Sequence, residues 1–395
     1  MKLKKIKLPF QIKKSILALG SQTKNTVCFA QGNFAYLSLS HPDLSAPKDF
    51  SNFERTVKYF LKKRPKIIAY DLHPEYSSTK YAFNLKPNTY HLIPVQHHHA
   101  HIASCMVENN LNNEKVIGVA FDGTGFGSDN NLWGAEFLVS NYRDFKRVAH
   151  LKEIPLLGGG KAILEPARVA AAWLYSIYKD KFLNLDLDLV KKIDKKKWRV
   201  LKNMYLSGFN SPLASSMGRL FDAVGSLVLG KSKVNLEAEL AMELEKIATS
   251  YLPAGQPPLA GPRRRQWQAG KWQAISYKFK IIKQKDGYTL DPLLMFKEII
   301  GDLKAKEPKE KIAYRFHLTI AQMVRKMCLV LRKENKINKV VLAGGVFQNN
   351  LLLCLALDLL YKEDFKVFTH KNLSCNDSSI SLGQVAIANF FPPSD

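Results

Sequence analysis

The sequence has few cysteines: five in 395 residues, with no C-x-x-C pair. Scattered and odd in number, they fit neither a disulfide framework nor a cysteine zinc cluster, and they are typical of a reducing compartment. Long apolar runs are also lacking, because the best one, residues 351–360, is interrupted by Asp358, whereas a spanning helix needs about 18 apolar residues. The apolar run after the lysine-rich start is too short for a signal peptide. We therefore expect a cytoplasmic protein that does not contact a membrane.

Acidic residues are scarce, with 34 against 59 basic ones, which gives a formal net charge of +25. Such a field attracts anions such as nucleotides, RNA, an acidic partner protein or counterions. The lysines are spread over the termini and helix faces, and no basic motif interleaved with aromatic residues is present. Dedicated nucleic-acid binding is therefore not expected, although the charge does not exclude it.

Two common catalytic signatures are absent, because the sequence contains no G-x-S-x-G nucleophile motif and no cysteine that stands next to a histidine. A serine hydrolase of that type is therefore not indicated. One stretch, residues 225–232 (G-S-L-V-L-G-K-S), matches the pattern G-x-x-x-x-G-K-[ST]. It lies inside a predicted helical segment instead of following a strand, so a P-loop nucleotidase is not indicated either.

Short apolar runs alternate with segments of helical periodicity, which predicts an α/β fold. The order strand, glycine-marked polar turn, strand, helix occurs twice, and this favours two related α/β lobes facing one another. The predicted strands are 15–19 and 27–30 (a hairpin with its bend at Gly20), 66–70, 116–121, 132–139 and 340–342, and the predicted helical segments are 53–63, 97–109, most of 165–250, 312–332, a helix starting at Gln348, and 380–391.

A histidine cluster at residues 97–101 (H-H-H-A-H) is the most informative motif. On a helix, His97 and His101 are four positions apart, so both rings project from one face about 6 Å apart. Together with a carboxylate from elsewhere, this pair would suit Fe(II) or Zn(II) with open positions. The alternative is a helix start with merely structural histidines, which is commoner for an isolated H-x-x-x-H. His98 and His99 point elsewhere and are structural or substrate-facing.

Two glycine-rich stretches follow predicted buried strands, at 122–127 (D-G-T-G-F-G) and 343–346 (A-G-G-V). Glycine lets the backbone approach a phosphate so that N–H groups can bind its oxygens. A single stretch of this kind is usually only a turn, but two in a repeated α/β pattern favour phosphate binding. The Asp122 carboxylate could hold a magnesium-bound water or a ribose hydroxyl.

Several carboxylates are further candidates. Asp222 is predicted on a helix, and the glutamates from Glu237 onward are predicted mostly to form a solvated face. Asp377 lies in a polar turn before the C-terminal helix, where N-terminal capping is the simplest role on pattern alone.

Taken together, these motifs resemble the C-terminal domain of the HypF family, the carbamoyltransferases of [NiFe]-hydrogenase maturation. That domain is similar to the tRNA threonylcarbamoyl-transferases and to the actin-like ATPase (ASKHA) fold. The resemblance covers nearly the whole chain and rests on residues 18–20, 24–26, 71–74, 95–101, 121–127, 133–134, 165–168, 215–222, 344–349, 376–377 and 381–384.

The resemblance implies a metal in a cleft between two lobes, with His97, His101 and Asp377 as its ligands and as the catalytic residues, so that Asp377 is more than a cap. It does not distinguish iron from zinc. It also implies a bound nucleotide (ATP, AMP or carbamoyl-adenylate), with Mg as an accompanying ion. The positions it assigns to the nucleotide are Asp122, Gly123, Thr124, Gly125 and Gly127 at the phosphates, Asp222 and Glu237 towards the ribose, and Gly344, Gly345 and Asn349 beside the adenosine.

The domain organisation expected on this basis has four parts. They are a basic N-terminal tail over 1–14, lobe I over 15–112, lobe II over 113–376 with a helical insertion and an exposed loop at about 252–275, and a C-terminal helix over 377–395 that packs back on lobe I.

The reaction implied is transfer of a carbamoyl group from carbamoyl-adenylate to a thiol, for which the family acceptor is the C-terminal cysteine of HypE. A thiol supplied by a partner would explain the missing nucleophile motif. Complete HypF carries acylphosphatase, zinc-finger-like and YrdC-like regions before this domain, so we expect a separate adenylate-forming YrdC-like partner. Two alternatives stay open: a tRNA threonylcarbamoyl-transferase, and a non-catalytic nucleotide-binding scaffold suggested by departures from the family pattern at Gly160, Ala343, Ser378 and Ser379.

Overall fold

The computed structural model describes residues 2–85, 89–251 and 276–391, so the predicted loop at about 252–275 lies outside the described residues. The chain separates into two compact units. Unit 1 comprises Met1–Val148, Leu331–Gln348 and Phe365–Asp395, and unit 2 comprises Ala149–Val330 and Asn349–Asp364. This division differs from the predicted lobes, because the strands after residue 112 and the last segment of the chain belong to unit 1.

The elements alternate as an α/β fold requires. The strands are β1 (Leu3–Ala18), β2 (Thr23–Asn25), β3 (Cys28–Ser38), β4 (His41–Asp43), β5 (Ile67–Asp71), β6 (His91–Val95), β7 (Val116–Phe126), β8 (Leu132–Ser140), β9 (Phe145–Leu151), β10 (Ile154–Pro155), β11 (Leu213–Ser216), β12 (Lys280–Gln284), β13 (Gly287–Asp291), β14 (Lys339–Ala343) and β15 (Lys366–Phe368). The helices are α1 (Pro47–Leu61), α2 (Ser77–Asn84), α3 (His97–Glu108), α4 (Lys161–Leu164), α5 (Ala167–Tyr178), α6 (Asp188–Lys191), α7 (Lys195–Ser207), α8 (Met217–Leu229), α9 (Glu239–Ser250), α10 (Leu293–Lys304), α11 (Lys309–Asn335), α12 (Asn350–Tyr361) and α13 (Ile380–Phe390), with short 3₁₀ helices at Lys179–Asn184, Gly345–Gln348 and Asp377–Ser379.

The first sheet of unit 1 has the strand order β3-β1-β5-β6. The predicted hairpin is confirmed as the antiparallel pair β1–β3, in which Leu17 lies opposite Phe29. The prediction of a basic tail over residues 1–14 is wrong, because Leu3 onward already belongs to β1 and pairs with β3. The lysines there alternate with apolar residues such as Ile6 and Leu8, so one side of the strand packs inward while the charges face solvent.

The second set of strands in unit 1 runs β8-β7-β14-β15. The glycine turn predicted after residue 121 is not a turn, because β7 continues to Phe126 and pairs with β8 as far as Leu132. The register shifts between Phe121 and Gly125, so the glycine stretch is an irregularity within the strand rather than its end.

Helix α3 forms the centre of unit 1, and every residue from His97 to Val107 is buried. It packs against α13 very closely, because a Cβ added to Gly383 would lie 1.9 Å from the carbonyl oxygen of Ala100. Only glycine permits this approach of two backbones. The core around α3 therefore holds the helix rigidly, and with it the histidine cluster.

Unit 2 is mostly helical, as predicted for residues 165–250, and β11 is the strand within that stretch. Its strands include the hairpin β12–β13, whose second strand pairs in parallel with residues 149–151 at the end of β9. The helix predicted to begin at Gln348 begins instead at Asn350, since Gly345–Gln348 is a 3₁₀ turn and Asn349 caps α12. Among the described residues, no helix is both long and apolar enough to cross a membrane.

Candidate metal centre

The two outer histidines of the cluster are presented by the first turns of α3. The helix starts directly after β6, and the side chain of Gln96 caps it by accepting a hydrogen bond from the N–H of His99 at 2.9 Å. Because His97 and His101 are four residues apart, their rings project from one face, with centroids 5.0 Å apart. Both side chains are fully buried.

Two carboxylates meet these rings. Asp122 lies in the last part of β7, and Asp377 lies in the 3₁₀ turn before α13. That turn is capped by Asn376, whose side chain accepts from the N–H of Ser378, so the capping role considered for Asp377 belongs to its neighbour.

The four side chains form one compact group. The Nε2 atoms of His97 and His101 each lie 3.3 Å from Oδ2 of Asp122, and 3.8 and 3.7 Å respectively from Oδ1 of Asp377. One ligand atom from each residue falls within 4.8 Å of all the others. Close approach of His97 to β7 requires the glycine at position 125, where a Cβ would lie 2.7 Å from Cδ2 of His97.

A fifth residue, Asp71 at the end of β5, fixes the orientation of one imidazole. Its Oδ2 lies 2.8 Å from Nδ1 of His97, and both side chains are fully buried. An ionised carboxylate only accepts hydrogen bonds, so Nδ1 carries the proton. The neutral ring then turns the lone pair of Nε2 towards the oxygens of Asp122 and Asp377, an arrangement that a cation or a second proton must stabilise.

The pKa shifts of these side chains also indicate that the group is stabilised by positive charge. Burial opposes the charged form of Asp122, but the imidazoles of His101 and His97 outweigh it and hold the pKa of Asp122 well below its usual range. Burial, reinforced by the neighbouring Asp122, raises the pKa of Asp377. Burial also opposes a charge on His97, yet Asp71 and Asp122 raise its pKa well above the ordinary value. Two imidazole nitrogens and two carboxylates therefore fit a divalent transition metal or zinc.

The other two histidines of the motif serve different contacts. Burial lowers the pKa of His98 well below its usual value, and Nδ1 of His98 lies 3.2 Å from the amide nitrogen of Gln96. His99 lies 2.6 Å from the carbonyl oxygen of Asn141 through Nε2. His99 is thus structural, whereas Nε2 of His98 is buried without a hydrogen-bond partner in the described part of the chain.

The structure brings together all three residues predicted as metal ligands, and it adds Asp122, which was predicted at the phosphates. The pattern of residues alone did not indicate the role of Asp71. A signal for it exists, because β5 and β6 are parallel neighbours with Asp71 opposite Val95, two residues before His97. The carboxyl end of β5 must therefore lie beside the first turn of α3.

The other unit 1 residues predicted to bind nucleotide are placed as follows. Gly123 and Thr124 are half-buried in β7, and Gly127 is buried at its end. The N–H of Gly345 donates to Oδ1 of Asp122 at 3.0 Å, and the N–H of Gly344 donates to the carbonyl oxygen of Cys375 at 3.1 Å. The amide of Gly345 thus holds the carboxylate of Asp122, and the amide of Gly344 holds the loop that precedes Asp377.

In unit 2, the predicted ribose residues are linked by an arginine that the sequence had not indicated. Arg219 on α8 lies 3.0 Å from Asp222 through Nε and 3.5 Å from Glu237 through Nη2. Asp222 is buried, whereas the side chain of Glu237 is half exposed and precedes α9. Asn349 caps α12 by accepting from the N–H of Leu352 and lies 2.9 Å from Nε2 of His317.

Comparison with known proteins agrees with this fold. The model of the second subdomain of the carbamoyltransferase Kae1-like domain matches residues 118–384, and that of the HypF Kae1-like domain matches residues 11–108. Carbamoyltransferase HypF of Synechocystis sp. is 33% identical over 96% of this chain and 48% of its own length. A carbamoyltransferase HypF homolog of Cupriavidus necator is 30% identical over 94% of this chain and 91% of its own length.

Solved structures show the same likeness. Full-length HypF in its phosphate- and nucleotide-bound form has a TM-score of 0.85 and 38% identity, covering 98% of this chain and 47% of that one. HypF of T. kodakarensis has a TM-score of 0.81 and 28% identity, covering 98% of this chain and 48% of that one. The chain thus spans about half the length of these HypF proteins.

The fold is that of a Kae1-like domain, which confirms the predicted actin-like ATPase (ASKHA) class. The chain belongs to the HypF family and corresponds to its C-terminal, Kae1-like part.

Proposed function

We propose that this protein is a HypF-type carbamoyltransferase that moves a carbamoyl group from carbamoyl-adenylate to a thiol. The observation that carries the proposal is the convergence of His97, His101, Asp122 and Asp377 within 4.8 Å, in a chain of this family. In the reaction, the thiol sulfur forms a bond to the carbamoyl carbon, the bond from that carbon to the phosphate oxygen breaks, AMP leaves with the electron pair, and the thiol proton passes to solvent.

The mixed anhydride is already activated, so the protein has mainly to position the reactants and stabilise charge. A divalent iron or zinc ion held by the four side chains would supply Lewis-acid chemistry to the carbamoyl oxygen. Asp71 holds the proton of His97 at Nδ1 and so keeps Nε2 available as a ligand. Burial of both imidazoles excludes water from competing hydrogen bonds.

Nucleotide binding is part of the proposal, as ATP, AMP or carbamoyl-adenylate with Mg. The phosphate- and nucleotide-bound state named for full-length HypF supports it. In unit 2, Asp222 and Glu237 offer carboxylate oxygens suited to ribose hydroxyls, and the guanidinium of Arg219 lies beside both. In unit 1, the residues that we propose at the phosphates are those of the glycine-rich end of β7.

Two protein partners complete the proposal. The carbamoyl-adenylate would come from a YrdC-like adenylate-forming protein, and the acceptor would be the C-terminal cysteine of a HypE-like protein in [NiFe]-hydrogenase maturation. Cys28, Cys105 and Cys375 are free thiols, which suits work in the reducing cytoplasm.

The decisive experiment incubates the purified chain with a YrdC-like enzyme, ATP, labelled carbamoyl phosphate and a HypE-like acceptor. We expect the label on the acceptor, lost when its C-terminal cysteine is replaced by alanine. The proposal is wrong if adenylate forms but no label reaches the acceptor in the presence of this chain and a divalent metal.

The same assay separates the alternatives. Turnover of threonylcarbamoyl-adenylate onto tRNA, with none of carbamoyl-adenylate, would identify a tRNA-modifying enzyme, which the charge of +25 would suit. Tight nucleotide binding without stoichiometric metal and without transfer would identify a scaffold.

A further inference from the structure

The last turn of α3 holds a loop that lies far away in sequence. Glu108 is the final residue of the helix, and its Oε2 lies 2.7 Å from Nδ1 of His370. Its other oxygen accepts from the backbone N–H groups of Asn372 and, at 2.9 Å, Leu373. The side chains of Glu108 and His370 are only 6% and 3% exposed, so this carboxylate is buried and fully used.

Asn109, the next residue in the chain, adds a further hydrogen bond to the same loop. The side-chain amide of Asn109 donates to the carbonyl oxygen of Thr369 at 2.9 Å, and also to that of Cys105 within α3. Burial disfavours the charged form of Glu108, but the contacts with His370 and the two backbone amides outweigh it and lower the pKa of Glu108 to about 2. The end of α3 and residues 369–373 therefore form one tightly bonded body, here called the Glu108 clamp.

The loop held by the Glu108 clamp leads directly to Asp377, one of the four candidate metal ligands. Only three residues separate Leu373 from Asp377, so at about 3.8 Å per residue the chain between them has little slack. Cys375, whose carbonyl oxygen accepts from the N–H of Gly344, is a second anchor of this short segment. The clamp and this hydrogen bond therefore together set the course of the chain into Asp377.

Helix α3 carries two of the candidate metal ligands as well as the clamp residue Glu108. His97 and His101 lie on its first turns, and Glu108 lies about 16 Å from His97 along the axis, at 1.5 Å per residue. Three of the four candidate ligands thus depend on α3, two of them directly and Asp377 through the clamp. If Glu108 only stabilised the fold, its loss would not change the positions of the ligand atoms.

We propose that Glu108 is a positioning residue for the metal site, which holds Asp377 within reach of the two imidazoles by gripping the loop before it. This inference rests on the metal site of the proposed function. Loss of the clamp should release Asp377 from the ligand set and leave His97, His101 and Asp122 in place.

The test measures Co²⁺ binding by the full chain, from competition with a chelator and from the visible absorption spectrum of the bound ion. Glu108→Ala should weaken Co²⁺ binding on the order of tenfold, the lower end of what outer partners of a metal site contribute. Its spectrum should shift towards that of Asp377→Ala, because both variants lose the same ligand. Glu114→Ala is the matched control, since it removes a carboxylate of the same unit that pairs with Lys339 instead of the loop, and it should bind as the wild type does.

A double-mutant cycle separates positioning from general stability. The variant with both Glu108→Ala and Asp377→Ala should bind Co²⁺ no more weakly than Asp377→Ala alone. Additive losses, or an unchanged affinity and spectrum in folded Glu108→Ala, overturn the proposal. If Glu108→Ala does not fold, Glu108→Gln replaces it and should show the same shift to a smaller extent. Failure of the wild type to bind Co²⁺ would instead refute the metal site itself.

Discussion

The histidine–aspartate group of unit 1 and the Arg219 group of unit 2 both bury carboxylates, but they balance charge in opposite ways. In unit 1, Asp71, Asp122 and Asp377 surround the two imidazoles and pair with them. In unit 2, the guanidinium of Arg219 already lies between Asp222 and Glu237.

The difference indicates which kind of ligand each group can take. Buried carboxylates that pair with imidazoles are balanced in charge only when the rings are protonated or a metal is bound, since burying uncompensated charge is costly. A set that carries its own arginine needs no ion and can offer hydrogen bonds to a neutral ligand such as a sugar. Unit 1 therefore has the chemistry of a metal centre, and unit 2 that of a hydroxyl-binding site.

The largest expected effect comes from removing one imidazole from the unit 1 group. His101→Ala should abolish stoichiometric metal binding and carbamoyl transfer while leaving the fold intact, because it removes one of the two imidazole nitrogens that face Asp122 and Asp377. Metal content by elemental analysis, circular dichroism and the transfer assay measure this.

The control is His91→Ala, which removes an exposed histidine of the same unit at the start of β6. It should change neither metal content nor turnover. Full metal content and turnover in His101→Ala would refute the metal centre.

A smaller effect is expected when the residue behind a ligand is changed. Asp71→Asn removes the charge that fixes the proton on Nδ1 of His97, so the amide can hold the ring in either tautomer. Metal affinity should fall by about 10–100-fold, the range typical of carboxylates that support a histidine ligand. Chelator competition measures it.

Glu75→Gln is the control for this change. It removes a charge four residues away, on an exposed side chain that pairs with Lys80 at 2.7 Å, and metal affinity should be unchanged. Equal affinities of Asp71→Asn and the wild type would show that Asp71 does not position His97.

Local patterns in the sequence predicted much of unit 1. The i, i+4 spacing placed His97 and His101 on one helix face, and apolar periodicity located β5, the start of β7, α3 and α13 to within a few residues. These features depend on neighbours in sequence, which a single sequence records directly.

Features that depend on tertiary pairing escaped the sequence patterns. The extension of β7 through its glycines follows from a register shift against β8, and the pairing of Asp222 with Arg219 follows from burial of α8. The inclusion of Asp377 in the site came from resemblance to a family, since its pattern alone favoured capping. Contacts across some 280 positions leave no periodic trace in one sequence.

The smallest expected effect is a pH dependence that belongs to unit 2 alone. Burial raises the pKa of Asp222 to about 6, even though Arg219 opposes the shift. Above that pH the carboxylate is ionised and accepts hydrogen bonds from ribose hydroxyls, whereas below it the neutral acid accepts them poorly. Adenosine is a suitable probe, because it has no phosphate that titrates in the same range.

Adenosine affinity should therefore fall by up to about tenfold between pH 7 and pH 5, since the ionised fraction drops about tenfold for each pH unit below the pKa. Asp222→Asn should bind adenosine more weakly and lose this pH dependence, while Glu237→Gln, which changes the half-exposed partner of Arg219, should keep it. Calorimetric titration at the two pH values measures the effect. An affinity in the wild type that does not change with pH would separate Asp222 from the ribose and leave the charge-compensated group of unit 2 as a structural feature.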